Sequence, residues 1–119
     1  MSLNIMVEEN IIIFNISGDI DHHTCENIRE KIDTSVIEKN LKNIIIDMRK
    51  IDFMDSSGIG LVMGRYRVLS RFDGKLVVVS EDEKINRVLK MSGVDKFVAI
   101  VDNIEKAMDI INRGNNDEK

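Results

Sequence analysis

The sequence predicts an α/β fold: a mostly parallel central β-sheet with an antiparallel hairpin at its start and four helices, in the order ββαβαβαβα. Three observations carry this reading. Ile44-Ile45-Ile46 and Leu76-Val77-Val78-Val79 are apolar without alternation, as strands are when helices cover both faces of a parallel sheet. The segments between and after them repeat their apolar residues at helical period. At the start, residues 11–17 alternate, with Ile12, Phe14 and Ile16 on one face and Ile11, Ile13 and Asn15 on the other. Strand–helix–strand alternation then implies right-handed crossovers between parallel neighbours, with the opening strand at the sheet edge.

Taken in order, residues 4–8 and 11–17 are the hairpin strands, and Glu9-Asn10 is the two-residue turn, Asn tolerating the positive φ it requires. Residues 22–38 are the first helix: Cys25, Ile28, Ile32 and Val36 form its inner stripe, with Glu26, Arg29, Glu30 and Asp33 on the wet side. Asp21 caps it, with Thr24 placed to bond back. Residues 57–72 form a second helix with an apolar stripe of Ile59, Val62, Met63, Tyr66 and Leu69, closed by a left-handed Gly74. Gly60 and Gly64, a turn apart, are expected to let this helix lie close to the sheet. The third helix, 81–91, turns Ile85, Val88 and Leu89 inward; Ser80 and Glu83 have capping-box spacing, and Gly93 is the stop. Phe97–Val101 is the last strand. Asp102, with Glu105 reciprocal, then caps a fourth helix whose core face is Ile104, Ala107, Met108 and Ile111. Residues 1–111 are expected to form one domain, and 112–119 a polar, disordered tail.

Composition narrows the function. The 119 residues suffice for one core. Lys+Arg 17 against Asp+Glu 21 leaves a net charge of −4, which argues against nucleic acid, because phosphate binding needs a basic face. The longest apolar run, Phe97–Val101, has five residues, and a membrane span needs about 18. No secretory signal pattern is present, and the single Cys25 fits a reducing compartment. A cytoplasmic protein with no membrane or nucleic-acid partner is expected.

Enzyme signatures are missing: there is no phosphate-cradling glycine loop and no nucleophile elbow. Asp21-His22-His23-Thr24-Cys25 has no standard zinc spacing, since adjacent histidines on an extended segment point apart. The exception is Phe53-Met54-Asp55-Ser56-Ser57-Gly58-Ile59-Gly60, which joins a buried strand to a helix start. Asp, Ser and Ser are all good N-caps, yet one helix needs only one. A surplus hydroxyl at the positive end of a helix dipole suits a phosphate. As a nucleophile it lacks a base, the only histidines lying over thirty residues away; as a phosphate acceptor it needs none, because the attacking kinase brings it. No catalytic residue, cofactor or metal is therefore expected.

The stretch Asp47-Met48-Arg49-Lys50-Ile51-Asp52-Phe53-Met54-Asp55-Ser56-Ser57-Gly58-Ile59-Gly60 resembles the phosphorylation loop of the bacterial anti-sigma factor antagonists, the STAS domains. Ser17-Gly18-Asp19-Ile20-Asp21-His22-His23-Thr24, Gly64-Arg65-Tyr66 and Met91-Ser92-Gly93-Val94 are similar to the sporulation branch of that family, so the resemblance runs from about residue 3 to 110. It implies partner switching. The unphosphorylated antagonist binds an anti-sigma factor that is itself a serine kinase and so releases the sigma factor. The kinase, which holds the ATP or ADP, then phosphorylates the antagonist and the complex parts, until a phosphoserine phosphatase restores it. The acceptor it implies is Ser56, the first serine of the pair, where spacing alone leaves Ser56 and Ser57 open. Asp21 matches an acidic position at the partner surface, and Met54, Asp55, Ser57, Gly58 and Ile59 are expected there from their place in the loop. The alternatives are a STAS antagonist of the general stress response, a receiver-like module phosphorylated on Asp47, or a serine hydrolase using Ser56 or Ser57.

Overall fold

A computed structural model of the chain describes residues 1–117. The elements are β1 (Ser2–Glu8), β2 (Ile11–Ile20), α1 (Cys25–Lys39), β3 (Asn43–Met54), α2 (Ser56–Ser70), β4 (Leu76–Val79), α3 (Glu83–Met91), a 3-10 turn at Val94–Lys96, β5 (Ala99–Val101) and α4 (Ile104–Asp117). The sheet order is β1-β2-β3-β4-β5, with only the β1–β2 pair antiparallel. The order of strands and helices is the one the periodicities predict. Glu9 and Asn10 take φ of 52° and 65°, the left-handed pair that matches a tight hairpin to the strand twist.

Strands consecutive in sequence are also neighbours in the sheet, so three crossovers of one hand put α1, α2 and α3 on the same face. The larger core fills that side: Ile12, Phe14 and Ile16 of β2, Ile44 and Ile46 of β3, and Val78 of β4 meet Ile28, Ile32, Val62, Leu69 and Leu89 from the helices. The opposite face of the sheet needs its own cover. There Ile11, Ile13, Ile45, Val77 and Val79 pack against Ala107 and Ile111 of α4. Burying Ile28 and Ile32 completely stabilises the docking of α1 by roughly 1.5–3 kcal/mol each.

One irregularity positions the functional end. β4 pairs with β3 only as far as Asp47↔Val79, while β2 follows β3 to Ile20↔Met54 with register shifts between Asn15 and Ser17 and between Gly18 and Asp19. The last turns of the β2–β3 ribbon therefore overhang the rest of the sheet, and the bulges bend it. The loops entering α1 and α2 leave this overhang side by side.

Several local expectations are corrected. Asp73, at φ 60°, supplies the left-handed residue after α2. Gly74 serves another purpose, since a Cβ there would overlap the Lys42 carbonyl oxygen and sit 3.1 Å from that of Leu69. At Gly60 and Gly64 an added Cβ would meet nothing within 4 Å, so neither glycine is needed for a close approach to the sheet. α3 is capped by Asp82, whose Oδ1 accepts the N–H of Lys84 at 2.7 Å and of Ile85 at 3.3 Å. Ser80 is still held by the sheet, its N–H donating to the Val101 carbonyl. α4 is capped by Asn103 through the Lys106 N–H at 2.8 Å, while Asp102 pairs with the Lys106 ammonium at 3.0 Å. Phe97 and Val98 both donate to the Val94 carbonyl, and this turn delays the last strand to Ala99. α4 continues through 112–117, where the sequence suggests a frayed tail; the expectation for 118–119 lies outside the described residues.

Candidate functional site

The site is built on the entrance to α2. Asp55 leaves β3 in an extended conformation (φ −104°, ψ −168°), and its Oδ1 accepts the Ser57 N–H at 2.8 Å. Its carbonyl oxygen accepts the Gly58 N–H at 3.0 Å and opens the helix. One carboxylate thus does the capping. Ser56, the first residue of α2, is exposed, and among the described residues its hydroxyl has no hydrogen-bond partner. No acidic side chain occupies the first turn of α2, so its unpaired N–H groups present a positive end beside that hydroxyl.

The second loop is organised by Asp21. Its Oδ1 accepts the N–H of His23 at 2.9 Å and of Thr24 at 3.0 Å, and the Thr24 hydroxyl accepts the Asp21 N–H at 3.1 Å. This reciprocal pair is the arrangement expected from the Asp21–Thr24 spacing, although regular helix begins only at Cys25. The Thr24 hydroxyl also donates to the Asp19 carbonyl oxygen at 2.8 Å, which folds the loop back onto the end of β2. The Thr24 N–H, ahead of the His23 N–H and the Thr24 hydroxyl, holds the Asp21 carboxyl below its ordinary value of 3.8. His22 and His23 do not point apart, because the segment is a turn. Their rings meet edge-on, with centroids 5.8 Å apart. Among the described residues no group of three or more His, Cys, Asp or Glu is placed to hold a metal.

Two contacts make the two loops one unit, and a third ties their helices together. The Asp55 N–H donates to the Ile20 carbonyl oxygen at 3.2 Å. The Cys25 thiol donates to the Ser57 carbonyl oxygen at 3.2 Å, joining the first turns of α1 and α2. Cys25 is only half-buried; burial, then the Asp55 and Glu26 carboxylates, keep its thiol above the ordinary 9.0. Further along, Arg65 of α2 reaches Asp33 of α1, Nε to Oδ1 at 3.0 Å, with only 10% of the arginine side chain exposed. Sequence reading places Asp33 on the wet side and gives Arg65 no role. The available signal is position: Arg65 is three residues after Val62 and four before Leu69, on the buried stripe.

The candidate residues separate into two groups. Ser56 is exposed, while Asp21, Asp55, Ser57 and Ile59 are half-buried at the surface of the two loops. Met54 and Gly58 are withdrawn from solvent. Met54 is 3% exposed, and a Cβ on Gly58 would overlap Met54 Cγ and lie 2.5 Å from its Sδ and 3.3 Å from Ile20 Cγ2. These two shape the turn from behind and offer no surface to a partner; Met54 joins the same core as Ile51 because the ribbon skips Asp52 in its register, and from there alternation turns Met54 inward. The same alternation turns Phe53 outward, 52% exposed, a residue missed as a site candidate.

Comparison with known proteins agrees with this fold. The sequence profile of the STAS domain family matches residues 2–107. The chain is 33% identical over 110 residues to an anti-sigma F factor antagonist of Paenibacillus polymyxa, covering 91% of this chain and 94% of that one. It is 26% identical to an anti-sigma-B factor antagonist of Listeria monocytogenes, over 98% of this chain and 99% of the other. Among solved structures, unphosphorylated SpoIIAA superposes with a TM-score of 0.79 at 30% identity, covering 93% of this chain and 96% of that one. The phosphorylated form of the Bacillus cell-fate determinant SpoIIAA gives a TM-score of 0.71 at 31% identity, covering 92% and 99%. With that family match over residues 2–107 and a 33% identical relative covered almost end to end, the chain belongs to the STAS domain family.

Proposed function

We propose that this chain is an anti-sigma factor antagonist that works by partner switching, with Ser56 as its phosphorylation site. The observation that carries the reading is the separation of tasks at the α2 entrance: Asp55 caps the helix, and the Ser56 hydroxyl faces solvent at the positive helix end. The unphosphorylated protein docks on an anti-sigma factor serine kinase through the Asp21 and Ser56 loops and displaces the sigma factor. The kinase supplies the nucleotide and the base; this chain supplies the hydroxyl, with no cofactor or catalytic group of its own.

Phosphorylation adds about −1.5 to −2 charge beside Asp55 and the tethered Asp21 loop. The helix end accepts that anion, a favourable effect of about 0.3–1 kcal/mol, so the fold is expected to persist. The interface does not accept it. An uncompensated charge buried there costs several kcal/mol, and each 1.4 kcal/mol is about tenfold in affinity. A phosphatase then resets the cytoplasmic pool. The sporulation branch is favoured over general stress, because identity is 33% to the sigma F antagonist and 26% to the sigma-B antagonist.

The test is mass spectrometry after incubation with a candidate anti-sigma serine kinase and ATP. One phosphate, on Ser56, is expected; phosphate on Ser57 or on neither residue overturns the assignment. Ser56→Ala should bind the kinase without being released, and Ser56→Asp should bind weakly. Equal affinity of the two variants would remove charge repulsion as the switch.

A further inference from the structure

From the geometry of the overhanging ribbon we infer that Phe53 is the apolar anchor of the partner interface, entering a slot on the kinase that is apolar inside and basic at its rim. The inference rests on the proposed function, since it takes the kinase to be centred on Ser56. A singly exposed ring is ordinary on a protein surface, so position has to distinguish the four phenylalanines of this chain. Phe14 is fully buried. Phe97, 57% exposed, leans on Tyr66 with ring centroids 5.9 Å apart. Phe72, 65% exposed, lies after α2, at the end of the sheet away from Ser56. Phe53 makes no aromatic contact among the described residues, is 52% exposed, and stands at the functional end.

Its position is fixed from both sides. Met54 is locked inward against Gly58 and Ile20, so the preceding side chain must turn outward. In the ribbon Phe53 pairs in register with Asp19. Ser56 is three positions further on, so their Cα atoms lie at most about 11 Å apart. A standard interface covers about 800 Å² on each partner, a patch of roughly 16 Å radius. A surface of that size centred on the acceptor serine therefore extends as far as Phe53.

Charge gives the character of the slot. Asp19 and Asp52 flank Phe53 and are both exposed, with Asp21 and Asp55 in the two loops beyond. An exposed ring with one carboxylate beside it in the chain and another across the ribbon is the complement of an apolar pocket with Arg or Lys at its rim. Aromatic residues filling a central pocket dominate binding energy, and the surrounding charges steer approach. Asp19 and Asp52 would sharpen the response to phosphorylation, because the added negative charge falls on a surface matched to cations.

The test measures binding of wild type, Phe53→Ala, Phe53→Leu and Phe72→Ala to the kinase with ADP, and the kinetics of Ser56 phosphorylation with ATP. Phe53→Ala should weaken binding about thirtyfold or more and raise KM with little change in kcat; Phe53→Leu should lose less. Phe72→Ala, with a ring at least as exposed, should behave as wild type. The unfolding midpoint of Phe53→Ala should stay at the wild-type value, separating docking from stability. Raising the salt concentration should weaken wild type more than a double Asp19→Asn, Asp52→Asn variant. Unchanged affinity in Phe53→Ala, or an equal loss in Phe72→Ala, overturns the anchor while leaving the acceptor assignment standing. A wild-type chain that neither binds the kinase nor is phosphorylated overturns the functional reading itself, and the anchor with it.

Discussion

The carboxylate of Asp55 accepts the Ser57 N–H at 2.8 Å, and the Ser56 hydroxyl between them is left to solvent. Helix capping and the proposed phosphate acceptance therefore fall to neighbouring residues that do not compete. Were Ser56 the cap, modifying it would remove a hydrogen bond that starts α2, and the switch would act partly by loosening the fold. With Asp55 in that role, the same modification changes surface charge and leaves the start of the helix in place.

The two positions should consequently differ in stability measurements. Asp55→Ala removes the cap in use and should lower unfolding free energy by about 0.5–2 kcal/mol. Ser56→Ala removes an exposed hydroxyl with no partner and should stay within about 0.5 kcal/mol of wild type. Urea denaturation followed by circular dichroism measures both. A loss at Ser56→Ala as large as that at Asp55→Ala would mean that the serine shares the capping.

The Asp21 loop should respond to acid. Bonding from the Thr24 and His23 N–H groups keeps the Asp21 carboxyl below 3.8 in the folded chain. For a group whose folded pKa is the lower one, the stabilisation is fully present above the unfolded value and is lost as pH falls through the folded value. Stability of the wild type should thus decline below about pH 4 more steeply than that of Asp21→Asn, and the two curves should run parallel above about pH 5. Urea midpoints across this range give the comparison, and the protection of the His23 and Thr24 amides, relative to intrinsic exchange at each pH, should fall over the same interval. Curves parallel down to the lowest pH would detach the carboxylate from the loop.

How far the sequence anticipates this structure depends on what kind of information each feature needs. The doubly buried runs in β3 and β4 and the positive-φ turn at Glu9-Asn10 are local, so element order and sheet class are legible. The Asp21–Thr24 pair is legible for the same reason, being a contact over three residues. Caps shifted by a residue or two, from Ser80 to Asp82 and from Asp102 to Asn103, because neighbouring polar residues cap equally well and the strand end decides between them. Arg65–Asp33 and Cys25–Ser57 join residues 32 apart in the chain, and no periodicity reports a contact of that kind. The exchange of Met54 for Phe53 at the surface is the most instructive. Loop position nominates Met54 and passes over Phe53, and only the direction of the final residues of β3 separates them.

Glycines in and around α2 offer a test of this packing that does not depend on function. Gly58 is required by Met54, whose Sδ would sit 2.5 Å from an added Cβ, so Gly58→Ala forces that side chain to move and should cost about 1–3 kcal/mol. Methionine is flexible, which favours the lower part of that range. In a Met54→Ala background the same substitution should cost much less, giving a coupling of about 0.5–3 kcal/mol in a double-mutant cycle. Gly60→Ala and Gly64→Ala meet nothing within 4 Å and replace a poor helix former with the best one. Each should stabilise the protein by roughly 0.5–1 kcal/mol. Urea midpoints for the set decide the matter: destabilisation at Gly60 or Gly64 would mean that α2 lies closer to its neighbours than the structure places it, and additivity of Met54→Ala with Gly58→Ala would break the link between the buried methionine and the serine turn.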